Sequence, residues 1–483
     1  MSYLNILTEA DREILTTINQ HLYKVLETAK IGFINKHPGM EISDAELKFE
    51  NTIFSGNCLI SGVTESFIEF KNCYFLNDVV FIGSKFNKRI SFNHCFFDRE
   101  VRIHRNNEFD QFDFIVASIK GQLYIDGGKF QESKWSIIDN CRVVINGGTF
   151  SNLMIGYWGG ATLCELSFHF PNIQGLIKII GEKTKIERLD LFQFSSDVSV
   201  SVEDISVNSL SIYRYRNEKA LRFSNLKIYK TNQISEFSIV ESYLGKTEFY
   251  SIDFGAFDSV KILDSHLVDC VFVNTKWPTK IDALKGRYIS MSDKETAFPI
   301  KLERLEKRLY ENINEKNLLE NDPEIITYYE KKREVLRQLK FSLGKQGDII
   351  NEQKFHSLEM VTYDKTLTWD NNFWTKSIIK FSYYFSDFGQ SISQPLIGLL
   401  AIHFMFFAIL VLCRVFPNFQ FSIENPDATG FWNGFYEYFR LINPFRKADD
   451  TFKGGFISID LLMRIWSSYM IYNIIRASRR FLK

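Results

Sequence analysis

Four side chains near the C-terminal end of the chain have types and spacings that could do chemistry in an apolar setting. Asp460, Arg464 and Ser467 recur at helical spacing within an otherwise apolar stretch, residues 456–475, and His403 interrupts a second one, residues 395–413. A charge at the centre of a bilayer costs about 2.5–3.5 kcal/mol, so such residues persist only against a partner helix, beside water or near the interface. Asp460 and Arg464 are placed to pair along one helix face, and Ser467 continues that face. With His403 they form the candidate set for lining a pore or facing the inside of a helix bundle, and ion conduction is the chemistry they would serve. The plainer alternative is that Asp460 and Arg464 lie near the interface and snorkel.

Other chemistry is thinly represented. Asp126, Asp139, Asp190 and Asp264 sit apart at turn-like places, without the carboxylate grouping that glycoside hydrolysis requires, and read as solvated turn residues. Neither H-E-x-x-H nor G-x-S-x-G occurs. The cysteines at 58, 73, 95, 141, 164, 270 and 413 show no C-x-x-C pairing, and His94 beside Cys95 lacks a second ligand pair. They read as reduced core thiols of a cytosolic region. Lys+Arg and Asp+Glu balance at 58 each, which leaves no basic field for nucleic acid. The expectation is a chain with no catalytic residues, no metal and no cofactor.

The elements that must position the polar set are membrane helices. Residues 395–413 carry no formal charge and would extend roughly 28 Å as a helix, close to the ~30 Å hydrocarbon core of a bilayer. Residues 456–475 form the second expected span. Between them GFWNGFYEYFRLINPF is too polar to span and aromatic enough to dip into the interface, and TKSIIKFSYYFSDFG before the first span reads as an interfacial helix. Trp374, Trp432 and Trp466 are the expected aromatic anchors, and Arg476, Arg479 and Arg480 the basic anchors of a cytoplasmic end. The N-terminus, MSYLNILTEADREILTTINQ, lacks a basic segment followed by an apolar run, so no secretory signal is expected.

A long repeat precedes the helices. FENTIF, FKNCYF and FNHCFF begin at Phe49, Phe70 and Phe92, and IDGGKF and INGGTF begin at Ile125 and Ile145. A period near ~21 residues with short alternating segments between the marks is the signature of a solenoid. The spacing of leucine-rich repeats is missing, so the expectation is a right-handed parallel β-helix of three short strands per coil, with Cys73 and Cys95 as stack partners. The expected order is a capping helix region at 1–45, opened by Thr8, and the all-β solenoid at 46–278. A helical linker with the interfacial helix follows at 279–390, then a two-span membrane domain at 391–483. Within the linker, Asp322-Pro323 opens a helix that Gly344 stops, and Asp348 opens the next.

YYEKKREVLRQLKFSLGKQGDIINEQKFHSLEM resembles the helical pair that follows the repeats in bacterial pentapeptide-repeat and related β-helix membrane proteins. Tyr329, Leu336, Arg337, Gly347, Asp348, Phe355, Glu359 and Met360 carry the likeness, followed by Gly389, Ser391 and Pro395. The A-(D/N)-L-x-x pentad itself is largely absent. The resemblance implies a multi-pass protein of the bacterial inner membrane, and two spans with both ends inside keep the N-terminal domain in the cytoplasm, as expected of its reduced thiols. The resemblance also implies a two-helix, ion-channel-like module, a layout consistent with a role in stress response or phage defence by depolarisation. The first expectation is therefore an oligomeric channel or pore gated by its solenoid, with the bilayer, further copies of itself and an unknown ligand or protein as partners. The alternative is a membrane-tethered scaffold without conduction, and a carbohydrate-active enzyme is the least favoured reading. No T-V-G-Y-G filter lies between the spans, so potassium selectivity is not expected.

Overall fold

Phe49 pairs in register with Phe70, Phe70 with Phe92, Phe92 with Phe114 and Phe114 with Trp135, each in a parallel strand of the next coil. The same ladder continues through Ile155, Ile179 and Val202 to Phe223, Phe249 and Phe272. All but Phe49 are buried. Strands about 4.8 Å apart bring identical side chains face to face. Phe70 thus stacks on Phe92 at 4.8 Å and 3°, and Phe54, Phe75 and Phe97 form a second column at 4.7 and 4.8 Å. Each such ring pair adds about 0.5–1.5 kcal/mol beyond its buried area.

Two residues past the ladder the chain turns a corner through a left-handed residue. Asn51, Asn72, His94 and Val116 do so in the early coils, and Asp204, Asn225, Ser251 and Asn274 in the late ones, all with φ of 50–56°. Asn and Asp tolerate this conformation better than most residues. Their side chains also ladder: Asn72 Nδ2 donates to Asn51 Oδ1 at 3.1 Å and Asn225 Nδ2 to Asp204 Oδ1 at 2.6 Å. Val116 is the misfit, because a β-branched side chain is strained there. Gly175 shows the opposite logic: at φ +110° it pairs with Phe150, whose carbonyl oxygen would lie 1.6 Å from any Cβ.

The computed structural model describes residues 35–37, 40–42, 48–277, 288–290 and 323–478, except 66, 139, 158–159, 170–172, 193–197, 217–220, 230, 232–233, 417–427 and 448–451. The expected Thr8 helix, Asp139, the charged segment 301–321, Arg479 and Arg480 lie outside the described residues. The chain divides into two compact units, Met1–Glu311 and Asn312–Lys483. The first is the parallel β-solenoid. It reaches past the expected 46–278 on both sides, since Asn35–His37 and Met40–Ile42 pair with Thr52–Phe54 and Cys58–Thr64, and Tyr288–Ser290 pairs with Ser259–Leu263. Its strands are not uniformly short: Val79–Asn93 and Glu108–Ile119 run unbroken through a bend. Cys73 and Cys95 occupy equivalent buried places one coil apart, their thiols donating to Phe49 O at 3.3 Å and Phe70 O at 3.2 Å.

The second unit contains six described α-helices: α1 (Pro323–Lys345), α2 (Ile349–Thr366), α3 (Trp369–Ser386), α4 (Ser393–Leu412), α5 (Ala428–Ile442) and α6 (Phe456–Ser478). Pro323 opens α1 as expected, but Gly344 lies inside it, and the reversal uses Gly347 at φ +77°. Asp348 caps α2 by accepting from Asn351 N at 3.1 Å. Buried Glu359 on α2 meets Lys340 of α1 at 2.6 Å. Between α3 and α4 the chain turns through Asp387, Phe388 and Gly389, all with positive φ. Ser357 donates to Asp387 at 3.0 Å and Gln390 to the Gln353 carbonyl at 3.1 Å, so α2 holds this elbow. The division expected at 390 falls at this elbow. Of the described helices, only α4 is long and apolar enough to cross a membrane. The second expected span does form a helix, α6, but Asp460, Arg464 and Asn473 lower its apolarity, so two spans do not follow from composition.

Candidate functional site

The polar residues singled out in the sequence meet along one seam, where α6 packs on α4. His403 of α4 and Ser467 of α6 are both fully buried, with Nε2 and Oγ 2.6 Å apart. Trp466 Nε1 donates to the Gly398 carbonyl at 3.2 Å, and Tyr438 of α5 donates to the Leu400 carbonyl at 2.7 Å. Gly398 permits the close approach, because a side chain there would press on Phe385 at 3.2 Å and Met470 at 3.5 Å. Two aromatic donors and one histidine thus tie three helices together without any charge.

At the end where α4 stops and α6 starts, the seam becomes ionic. Asp460 accepts from Arg464 Nε at 2.7 Å and from Arg446 Nη2, so one carboxylate serves two guanidinium groups. Arg464 also donates to the carbonyls of Arg446 at 2.8 Å and Lys447 at 3.3 Å, and Arg446 to those of Leu441 and Asn443. These bonds clasp the α5–α6 connection onto α6. Beneath them Leu410, Phe416, Leu441, Phe452 and Met463 form an apolar cluster.

The set expected to line a pore or face the inside of a helix bundle is thus brought together along the inside of the chain's own bundle. On α6, Met463, Ser467, Met470, Asn473 and Ala477 point inward, while Ile457, Leu461, Leu462, Ile465, Tyr472 and Ile475 are exposed. The exposed side of this helix is largely apolar, interrupted by Ser458 and Ser468. Among the anchors, Trp374 and Trp432 are exposed, whereas Trp466 is half-buried against Phe385 and Gly398 and so serves packing. Arg476 lies over Gly389, where an added Cβ would come within 2.9 Å of its Cδ. Sequence reasoning did not single out Arg446. The available signal was an unexplained acid, Asp460, one loop downstream of it.

The solenoid's carboxylates divide differently from expectation. Asp264 is an exposed corner residue and Asp126 lies 3.5 Å from His104, but Asp190 is buried in the middle of a strand. It meets Arg188 at 2.6 Å, while Glu165, one coil back, meets Arg142 at 3.0 Å and Ser167 at 2.7 Å. Burial lifts the Asp190 carboxyl to about 6 against the pull of Arg188. Burial would also raise Glu165, but Ser167 and Arg142 together hold it below its ordinary value. Two carboxylates tuned apart on neighbouring coils match the pattern of acid–base hydrolysis, yet Asp190 is closed to solvent and each carboxylate already has an arginine. No group of three or more metal-ligating side chains occurs among the described residues. Comparison of the chain with family models, characterised proteins and solved structures gives no match.

Proposed function

We propose that the protein is a membrane-anchored β-solenoid, in which α4 and α6 form a two-helix hairpin across the bilayer and the solenoid supplies the binding or assembly surface. The observation that carries this reading is the inward turn of every polar group that a lone α6 could not have taken into lipid. Ser467 is matched by His403, Asp460 by two arginines, and the faces left outside are largely apolar, with Ser458 and Ser468 the exposed polar residues of α6. Membrane helices pair in this way, with polar groups hydrogen-bonded across the interface and apolar groups toward lipid. Composition alone undervalues α6, because it averages over two faces that meet different surroundings.

The same closure favours an anchor over a conduit. A conducting path needs polar groups facing water, and His403 and Ser467 face each other in a dry contact. With two spans both ends of the chain lie on one side, and the reading of the cysteines as reduced thiols favours the cytoplasm as that side. The test is to reconstitute the full chain in liposomes, wash at alkaline pH, and impose a potassium diffusion potential read by a potential-sensitive dye. The expected result is protein that stays with the vesicles while the potential holds. Release by the wash would remove the anchor. Dissipation of the potential that Ser467→Ala alters would restore the channel reading.

A further inference from the structure

Helix α5 is largely aromatic on the outside, with Thr429 and Asn433 its exposed polar residues, in a place where a loop should be polar. Phe431, Trp432, Phe435, Tyr436 and Phe439 are all exposed and repeat along one side of it. Its only charged residues, Glu437 and Arg440, are half-buried and paired with each other at 2.7 Å. Its opposite side touches α4 well inside the apolar run. Tyr438 bonds the Leu400 carbonyl and packs on Phe404 and Phe407, and Leu441 joins Leu410 and Met463. The contact therefore falls along the middle and later part of α4, not beyond its end. Both ends of the segment return to one side, since Phe416, just after α4, and Phe452, just before α6, meet in the same cluster.

The geometry points to α5 as a re-entrant helix: it lies beside α4 within the bilayer, with its aromatic face against the acyl chains of phospholipids. This inference rests on the membrane reading of α4 and α6 and goes beyond it. Fifteen residues of helix make about 22 Å, too short to cross but long enough to reach mid-depth. Acyl chains are the fitting occupant because the aromatic face continues the exposed apolar face of α4, where Leu400, Phe404 and Met405 are open. Both α5, with Trp432 and Tyr436, and α3, with Trp369, Trp374, Tyr383 and Tyr384, expose indole and phenol groups of the kind that favour the headgroup layer, so the contact of α5 with the apolar run of α4, and not residue type, sets its depth.

Nitroxide depth measurements decide it. Single cysteines replace Phe404 (α4), Phe435 (α5) and Tyr384 (α3) in the full chain carrying Cys413→Ser, which removes the one exposed thiol among the described residues. Each protein is labelled, reconstituted in phosphatidylcholine vesicles and compared for collision with oxygen and with a water-soluble nickel chelate. The expected result is oxygen accessibility severalfold above nickel accessibility at both 404 and 435, with the order reversed at 384. A label at 435 that collides mainly with nickel while 404 is deep would place α5 in the interface and overturn the inference. So would a label at 435 shielded from both reagents and broadened by spin–spin coupling, since a second copy would then cover the face. Should 404 itself collide mainly with nickel, the membrane reading of α4 fails instead.

Discussion

Removing Asp460 should damage the helical unit far more than removing Arg464, although the two are bonded to each other. The Asp460 carboxylate holds Arg464 at 2.7 Å and Arg446 on its other oxygen, and the three side chains are 14%, 23% and 5% exposed in that order. Asp460→Asn keeps the volume but leaves two guanidinium groups facing each other with no anion between them. Breaking a buried ion pair by removing one partner costs about 3–5 kcal/mol, and the upper half of that range applies because two partners are stranded. Arg464→Ala leaves Asp460 still paired with Arg446 and loses a group that is partly open to solvent. It also gives up the bonds to the Arg446 and Lys447 carbonyls, which water can replace on the open side, so its expected cost is about 1.5–3 kcal/mol, the scale of hydrogen bonds to a charged group. Thermal unfolding in detergent of the wild type, the two single variants and the double variant measures the difference. The double variant should fall short of the sum, because the variants share a partner and Arg464→Ala removes the guanidinium–guanidinium repulsion created by Asp460→Asn. Equal losses from the two single changes, or strict additivity, would refute the shared-carboxylate account.

Phe92, fully buried between Phe70 and Phe114, is the most exacting test of the solenoid: Phe92→Ala should cost about 3–5 kcal/mol and open the early coils to limited proteolysis. Val116→Asn should stabilise the solenoid by about 1 kcal/mol in denaturant unfolding, since Asn relieves a left-handed corner that Val occupies at φ +52°. The Asp190 carboxyl, lifted from 3.8 to about 6 by burial, binds its proton more tightly in the folded chain. Its contribution therefore makes stability fall as pH rises from about 4 to about 6, by roughly 2–3 kcal/mol. Asp190→Asn should abolish that slope in unfolding curves taken across this range.

Much of the solenoid is written locally. Phe49, Phe70 and Phe92 recur at the period of one coil because in-register stacking rewards the same large ring in the same place, so side-chain identity itself encodes the register. Asn51 and Asn72 mark the corner for a similar reason, the left-handed backbone being cheap for few residues. The apolar run around His403 and the helical spacing of Asp460, Arg464 and Ser467 were equally legible, since a helix face is a property of the sequence alone. The direction in which that face points was not. Pairing Asp460 with Arg446, seating Ser467 on His403, and laying Tyr438 against Leu400 all join residues from separate elements. A polar stripe looks the same in sequence whether it lines water or closes on its neighbours. Only the packing of α4, α5 and α6 decides between them, because a polar group in an apolar setting is stable wherever its hydrogen bonds are met.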